Sequence, residues 1–555
     1  MSTPKEASPG SRDAAPQATA RQLILKSVPT NQFACAVGAI VVAAYVAVFV
    51  HYSPALPLQD FPNHLARAVV MADLIFHQGA GFGEVFQYRF LAVPYVLGDL
   101  MLASAVELLG VTGATALWSA LVLLSLPAAL LFYLRVNRAP ANGRALAFLL
   151  SMYLSTDWFF IMGFLEFRLA VAVTLVSLAL AELLRRCWSA GIYVVYSVVV
   201  VLGYLIHFTS IVFVVAALGV SALLKLRLRT TSLRREIAVL APVGAVLAWH
   251  FGVAVGYRVP SDIPSEILDW GTVSGKIEGL VAPFVRFSMP ADFLMVLVLA
   301  ACVLWPARRD FTRTCLLQAA VIEMLVLAAT FLVMYFVLPV GYADAWAVDV
   351  RALAPATVFL IAACLYLPDA ARGSTAALVL PLAALLAIGN LAYLTKHIAD
   401  DHAWLGAYRA VVAAVPRSAP VLPIYTHHRQ GAVAPFLHAG SFVVIDRGGV
   451  IPYLFSGDRG SPMKYFRYVH RRYEPDEEWY TVPQPVPVDW EAVACDYDFL
   501  LVMRPFDPGR IRVPTTTVTE NGSAALLAIA KQACTRPRLA ARTGDSPGAG
   551  SAPQL

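Results

Sequence analysis

The stretch Phe33–Val50, FACAVGAIVVAAYVAVFV, followed shortly by Asp60-Phe61-Pro62-Asn63-His64, decides the fold class. A helical apolar run of this length matches the roughly 30 Å hydrocarbon core of a bilayer. Comparable runs recur as far as Leu394, and a soluble fold has no use for so many. The polar motif lies where the chain leaves the first run. An acid, an amide and an imidazole are not needed there to cross a membrane, so the motif is a functional lead.

Working outward, the 555 residues are 59% hydrophobic and 14% charged, against about 25% charged in average soluble domains. The pattern predicts an α-helical polytopic membrane protein of about eleven spans, each long enough for the bilayer core. They fall near 33–50, 112–134, 145–156, 164–184, 191–207, 208–224, 237–256, 290–305, 315–338, 351–368 and 375–394. Alternate turns are basic: Arg135, Arg138 and Arg144; Arg185 and Arg186; Lys225, Arg227, Arg229, Arg234 and Arg235; Arg308, Arg309 and Arg313; Arg372. By the positive-inside rule these turns face the cytoplasm. That places the N-terminus inside and the C-terminal region outside, in the plasma membrane, with a composition pointing to a bacterial inner membrane. The net charge of +6 is explained by these turns, so no nucleic-acid partner is implied. No cleavable signal peptide is recognised. The first span reads as a signal anchor, and residues 1–30, rich in Ala, Pro and Ser, read as a disordered cytoplasmic segment.

The transmembrane domain runs over 31–395, with a first outer loop over 51–111. Residues 94–109 are apolar but carry Asp99 and Glu107. If they spanned, the arginines at 135–144 would fall outside, so they are expected as an interfacial helix, with another near 62–77. Further outer loops are 257–289, with Asp262, Glu266, Asp269, Lys276 and Arg286, and 339–350, with Tyr342, Asp344, Trp346 and Asp349. Residues 396–540 read as an extracytoplasmic α/β domain. Its expected strands are Pro420–Tyr425, Ser441–Asp446 and Tyr497–Arg504, and its expected helices Trp404–Val415 and Ala524–Lys531. Residues 541–555 read as a disordered tail. Cys35, Cys187, Cys302, Cys315 and Cys364 lie in or beside apolar segments and pack as small hydrophobes. Cys495 and Cys534 could pair if their region is outside.

The candidate catalytic residues are Asp60, His64, Asp157 and Glu166. Asp60 precedes a helix with Pro62 in its first turn, which suits an N-cap as well as a catalytic acid. His64 and Arg67 lie one turn apart on that helix, so a base, an imidazole and a cation converge at the membrane surface. His64 alone would suit an ordinary interfacial histidine. The Asp60 carboxylate could take a proton from an acceptor hydroxyl or help hold a divalent cation, with Asp157 as the other metal candidate. Asp157 lies in the turn before the fourth span. Glu166 and Arg168 open that span, where charge is costly and either pairs locally or serves function. Arg351, Arg258 and Arg67 are the candidate phosphate-binding groups, with Arg286 a weaker one, because a guanidinium suits a phosphate by bidentate contact. Arg351 could equally pair with Asp349 or a lipid headgroup. His207 lies at an outer turn. His427-His428-Arg429 and Asp446-Arg447-Gly448-Gly449 read as surface loops. No phosphate loop, dinucleotide fingerprint or zinc-ligand spacing is present.

One span, a long outer loop opening on an Asp motif, interfacial helices, the Leu109-Gly110 turn, many further spans and an outer α/β domain together resemble the GT-C class of membrane glycosyltransferases. That class includes protein mannosyltransferases, lipid A aminoarabinose transferases and oligosaccharyltransferase catalytic subunits. The resemblance covers about residues 30–395, with Asp60 and Asp157 standing where class members often carry acids. Protein mannosyltransferases follow the first acid with a second, Asp-Glu, whereas Phe61 follows Asp60 here. The resemblance implies a polyprenyl-phosphate-linked sugar as donor and an outer-face glycan, lipid or protein as acceptor. It also implies a carboxylate that activates the acceptor or holds a metal, and basic groups that neutralise the departing phosphate. Two other classes stay open: a transporter or flippase, marked by repeated halves, and a non-catalytic component of envelope polysaccharide assembly.

Overall fold

In lipid, backbone polar groups must be satisfied within the segment, which a helix achieves residue by residue. The apolar runs are helical in the computed structural model, which describes residues 32–254, 268–310, 318–342, 345–366, 373–426, 432–456, 465–476, 479–481 and 487–534. Arg258, Asp262, Glu266, Asp344, Arg313, Arg372, Cys315, the His427–Arg429 run and both terminal segments lie outside these residues.

In chain order the elements are α1 Gln32–His51, α2 Phe61–Phe76, β1 Phe86–Tyr88, α3 Val96–Val136, α4 Ala141–Leu154, α5 Trp158–Ile161, α6 Leu165–Arg186, α7 Ala190–Ile206, α8 Phe208–Arg227 and α9 Leu233–Trp249. There follow β2 Leu268–Asp269, α10 Val273–Gly279, α11 Met289–Asp310, α12 Ala319–Val337, β3 Gly341–Tyr342, α13 Leu353–Leu365 and α14 Gly373–Val412. The C-terminal region holds β4 Val421–Ile424, α15 Phe442–Arg447, β5 Phe466–Tyr468, α16 Trp490–Asp496, β6 Phe499–Met503, β7 Thr515–Glu520 and β8 Ala524–Ile529. Among the described residues, six helices are long and apolar enough to cross a membrane: α3, α6, α8, α11, α12 and α14. The apolar stretches Ala36–His51, Ala190–Ile206 and Val350–Leu365 are shorter.

Gly110 breaks α3 with φ 68° and ψ 172°, a conformation essentially reserved for glycine. It divides the expected interfacial segment from the following span. The basic turns after α3, α6 and α8 meet at one end of the bundle. There Arg185 is held by Glu236 and by Ser221, and Lys225 by Glu182 and Glu323. Arg186 donates to the carbonyl of Val136, and the Tyr366 hydroxyl to that of Asn137. At the other end the first loop, the 155–164 turn and the segment before α11 meet the C-terminal region, the last through the Ala432 N–H, which donates to the carbonyl of Arg286. Trp158 donates to the carbonyl of Ala432 and lies edge-on to Trp346 at 5.7 Å. Strand β1 of the first loop pairs antiparallel with β5.

The C-terminal sheet has the order β4-β6-β8-β7, with β4 parallel to β6 and the other pairs antiparallel. One face buries its own core around Leu422, Ile424, Tyr497, Leu500 and Val502. Cys495 and Cys534 are joined across this region, with Cα atoms 4.8 Å apart. Three expectations are corrected. Residues 441–446 are helical, as α15, despite the β-branched Val443, Val444 and Ile445, and the helix stops at left-handed Gly448. Residues 524–529 form a strand, because pairing with β6 and β7 on both edges overrides the helical preference of Ala and Leu. The helix expected over 404–415 is the continuation of α14 out of the last span.

Candidate active site

The motif at the first span's exit is anchored through its backbone. The Gln59 and Asp60 N–H groups donate to the carbonyls of Ile161 and Met162 at 3.1 and 3.0 Å. Gly163, at φ 82°, lets this turn lie against α2, since a Cβ there would stand 2.6 Å from the nitrogen of Phe61. Asp60 occupies the N-cap position of α2, yet its carboxylate makes no capping hydrogen bond. The capping role that suits Asp60 is therefore not the role of its side chain. Instead Oδ1 faces Nε2 of His438 at 3.4 Å, with both side chains largely buried.

The rest of the motif binds the C-terminal region. Gln59 Oε1 accepts from the Ala434 N–H at 2.8 Å. Asn63 uses both ends of its amide, donating to the carbonyl of Tyr453 at 2.7 Å and accepting from the Phe455 N–H at 2.9 Å. Sequence spacing places these residues on one helix but says nothing of such partners.

His64, Arg67 and Glu166 come together, with Asp99 added from the part of α3 before Gly110. Arg67 is fully buried and forks onto both oxygens of Asp99, at 2.8 and 2.7 Å. The Tyr465 hydroxyl also donates to Asp99. Arg67 further donates to Nδ1 of His64 at 2.9 Å. A guanidinium can only donate, so the His64 proton sits on Nε2 and the ring is neutral. Burial holds the His64 pKa well below the usual histidine range, and the Arg67 charge adds to the effect. Glu166 Oε2 lies 3.5 Å from His64 Nδ1, while the buried Oε1 has no hydrogen-bond partner. The backbone of Gly98 presses on Glu166, and a Cβ there would stand 2.9 Å from Cγ.

Among the described residues, His64, Asp99 and Glu166 form the set whose ligand atoms, all within 4.8 Å of one another, could hold a metal ion. Asp60 and Asp157 are not members. The donors do not fit a divalent cation as arranged: Arg67 already covers both Asp99 oxygens and His64 Nδ1 with its own positive charge.

Asp157 lies in a separate cluster. It pairs with Arg168 at 2.8 Å and caps α5 by accepting from the Phe160 N–H. Burial raises its pKa to about 6 against the pull of Arg168. Arg168 also donates to the carbonyl of Leu154. Arg286 belongs to the neighbouring network, forked onto Asp292 and bonded to Asn390 and the carbonyl of Thr156.

Arg351 differs from these arginines. Asp349 is taken by Lys276 at 2.9 Å. Arg351 keeps a weak bond to the carbonyl of Trp346, lies over the rings of Phe164 and Phe167, and has a buried Nε without a partner. Among the described residues no carboxylate pairs with it. Its charge acts on the Tyr95 hydroxyl and on His207. Tyr95 sits at φ 75° at the head of α3, with its ring 4.6 Å from that of His207. A left-handed tyrosine is uncommon and strained, which draws attention to the position. His207 Nδ1 accepts from the Thr209 N–H, leaving the proton on Nε2. Tyr95, His438 and Tyr465 were not legible as site residues, because no motif marks them and only the fold brings them here.

No family model matches the chain, and no curated protein matches it. Among solved structures it is similar to ArnT from Cupriavidus metallidurans in the apo state and to the same protein bound to undecaprenyl phosphate. Each comparison has a TM-score of 0.51 at 12% identity and covers 90% of this chain and 99% of that one. At that identity the likeness is one of shape, and the shape is that of a GT-C-like fold.

Proposed function

We propose that this protein is a multi-pass membrane glycosyltransferase. It moves a sugar from a polyprenyl-phosphate donor to a hydroxyl of an outer-face glycan, lipid or protein. The observation that carries the reading is Arg351, a half-buried guanidinium without a carboxylate partner among the described residues. It is set in a fold shared with an ArnT structure bound to undecaprenyl phosphate. An arginine so placed suits a lipid-borne phosphate, with the Tyr95 hydroxyl and the His207 Nε2–H as further donors.

In the reaction the acceptor oxygen bonds to the anomeric carbon as the bond from that carbon to the phosphate oxygen breaks. The electron pair leaves with the polyprenyl phosphate, where Arg351 offsets the growing charge. The acceptor proton passes to Asp60, whose carboxylate is not consumed by capping. No step runs through a metal. The basic turns at the opposite end of the bundle and the Cys495–Cys534 disulfide support a cytoplasmic N-terminus and an extracytoplasmic C-terminal domain.

The test is binding of undecaprenyl phosphate to the purified protein in nanodiscs, read by native mass spectrometry. Arg351→Ala is expected to weaken binding at least ~10-fold, the loss of one charge-assisted contact. Arg286→Lys, in the network of Asp292 and Asn390, is expected to leave it unchanged. Equal binding by the wild type and Arg351→Ala would remove Arg351 from the phosphate site.

A further inference from the structure

We propose that His438, carried by the C-terminal region, is the positioning residue of Asp60, so that the catalytic site is complete only with that region docked. The proposal deepens the transferase reading above and rests on it.

Three kinds of carboxylate environment are present around this end of the bundle. Asp99 and Asp157 each face an arginine at hydrogen-bond distance. Arg67 engages both oxygens of Asp99, and Arg168 with the Phe160 N–H engages both oxygens of Asp157. Glu166 has a buried oxygen with no hydrogen-bond partner. Glu166 and Asp60 each face an imidazole, but His64 turns toward Glu166 the Nδ1 that accepts from Arg67, whereas His438 Nε2 lies 3.4 Å from Asp60 Oδ1. An imidazole N–H on one oxygen orients the carboxylate. It also leaves Oδ2 for the acceptor hydroxyl. That combination is what a general base requires.

The histidine is built into place. Its ring meets Phe455 edge-on at 5.1 Å, and the same Phe455 meets His64 at 5.4 Å. Asn63 fixes Phe455 through the backbone, and Gln59 fixes Ala434, four residues before His438. On the other side, Gly440 presses against Pro423 of β4, where a Cβ would stand 2.5 Å from the proline ring. Thus the residues flanking Asp60 hold the segment that carries its partner, and the sheet holds that segment from behind. The polar motif is in large part a docking motif.

In the proposed transfer, Asp60 Oδ2 takes the acceptor proton as the acceptor oxygen bonds to the sugar and the phosphate leaves. His438 changes no covalent bond and acts by holding Oδ1.

The experiment uses the full chain in nanodiscs, with radiolabelled polyprenyl-phosphate sugars extracted from the host membranes. His438→Ala is expected to lower the turnover rate by about 10²-fold, the lower end of a general-base contribution, with undecaprenyl phosphate binding unchanged. His438→Gln, which keeps an N–H at the same reach, is expected to restore most of the rate. Asp60→Asn with His438→Ala is expected to be no slower than Asp60→Asn alone. A rate near wild type in His438→Ala overturns the proposal, as does a glutamine variant no better than alanine or a loss that multiplies in the double variant. If the wild type moves no sugar from any lipid-linked donor, the transferase reading falls. The pairing itself is then decided by ¹⁵N spectra of the histidine rings. A shift of the His438 resonance on Asp60→Asn supports the pair, and an unmoved resonance ends it.

Discussion

At the scale of single residues, acids that look alike in sequence are separated by their partners. Asp99 is fully buried and forked by Arg67, so removing its charge leaves a buried guanidinium without compensation. Breaking one side of such a pair costs about 3–5 kcal/mol. Asp60 faces an imidazole that can itself be neutral, and its carboxylate caps nothing. We therefore expect Asp99→Asn to lower the thermal midpoint sharply, and Asp60→Asn to leave it nearly unchanged while abolishing transfer. Thermal unfolding and rate measured on the same preparations check this, and the opposite ranking of the two midpoints would contradict it. Arg67 had the composition of a phosphate ligand, but its forked bond to Asp99 gives it a structural task.

At the scale of elements, the decisive join is between the head of α2 and the turn after α5. Two backbone hydrogen bonds and a glycine contact set where Asp60 stands. Gly163→Ala adds a methyl 2.6 Å from a backbone nitrogen and places a side chain at φ 82°. The conformational strain alone amounts to about 1–3 kcal/mol. The expected outcome is a lower midpoint together with a loss of turnover, while undecaprenyl phosphate binding at Arg351 persists. Loss of both functions in a folded protein would show that the two parts of the site are not separable in this way. Gly110 serves α3 similarly, letting one run of helix change direction within a single residue.

At the scale of the whole molecule, the two ends of the bundle use charge differently. One end pairs Arg185, Arg186 and Lys225 with Glu182, Glu236 and Glu323 and ties the spans together. The other keeps Arg351 without an acidic partner among the described residues and brings a C-terminal histidine onto a first-loop acid. Because Arg67 supplies the positive charge inside the His64, Asp99 and Glu166 cluster, we expect exhaustive chelation to leave both transfer and undecaprenyl phosphate binding unchanged. A rate lost with EDTA and restored by a divalent ion alone would show that Arg67 yields its place.

By itself the sequence determined the membrane class and the apolar helical runs, because apolar length and charge spacing are local properties read along the chain. It misread residues 441–446 and 524–529, whose local preferences yield to sheet pairing and packing. Only the tertiary structure decided which acid faces which base. Asp60 and His438 are far apart in the chain, as are Arg351 and Tyr95. Such contacts depend on how helices and loops close in space, and no periodicity or motif along the backbone encodes that closure.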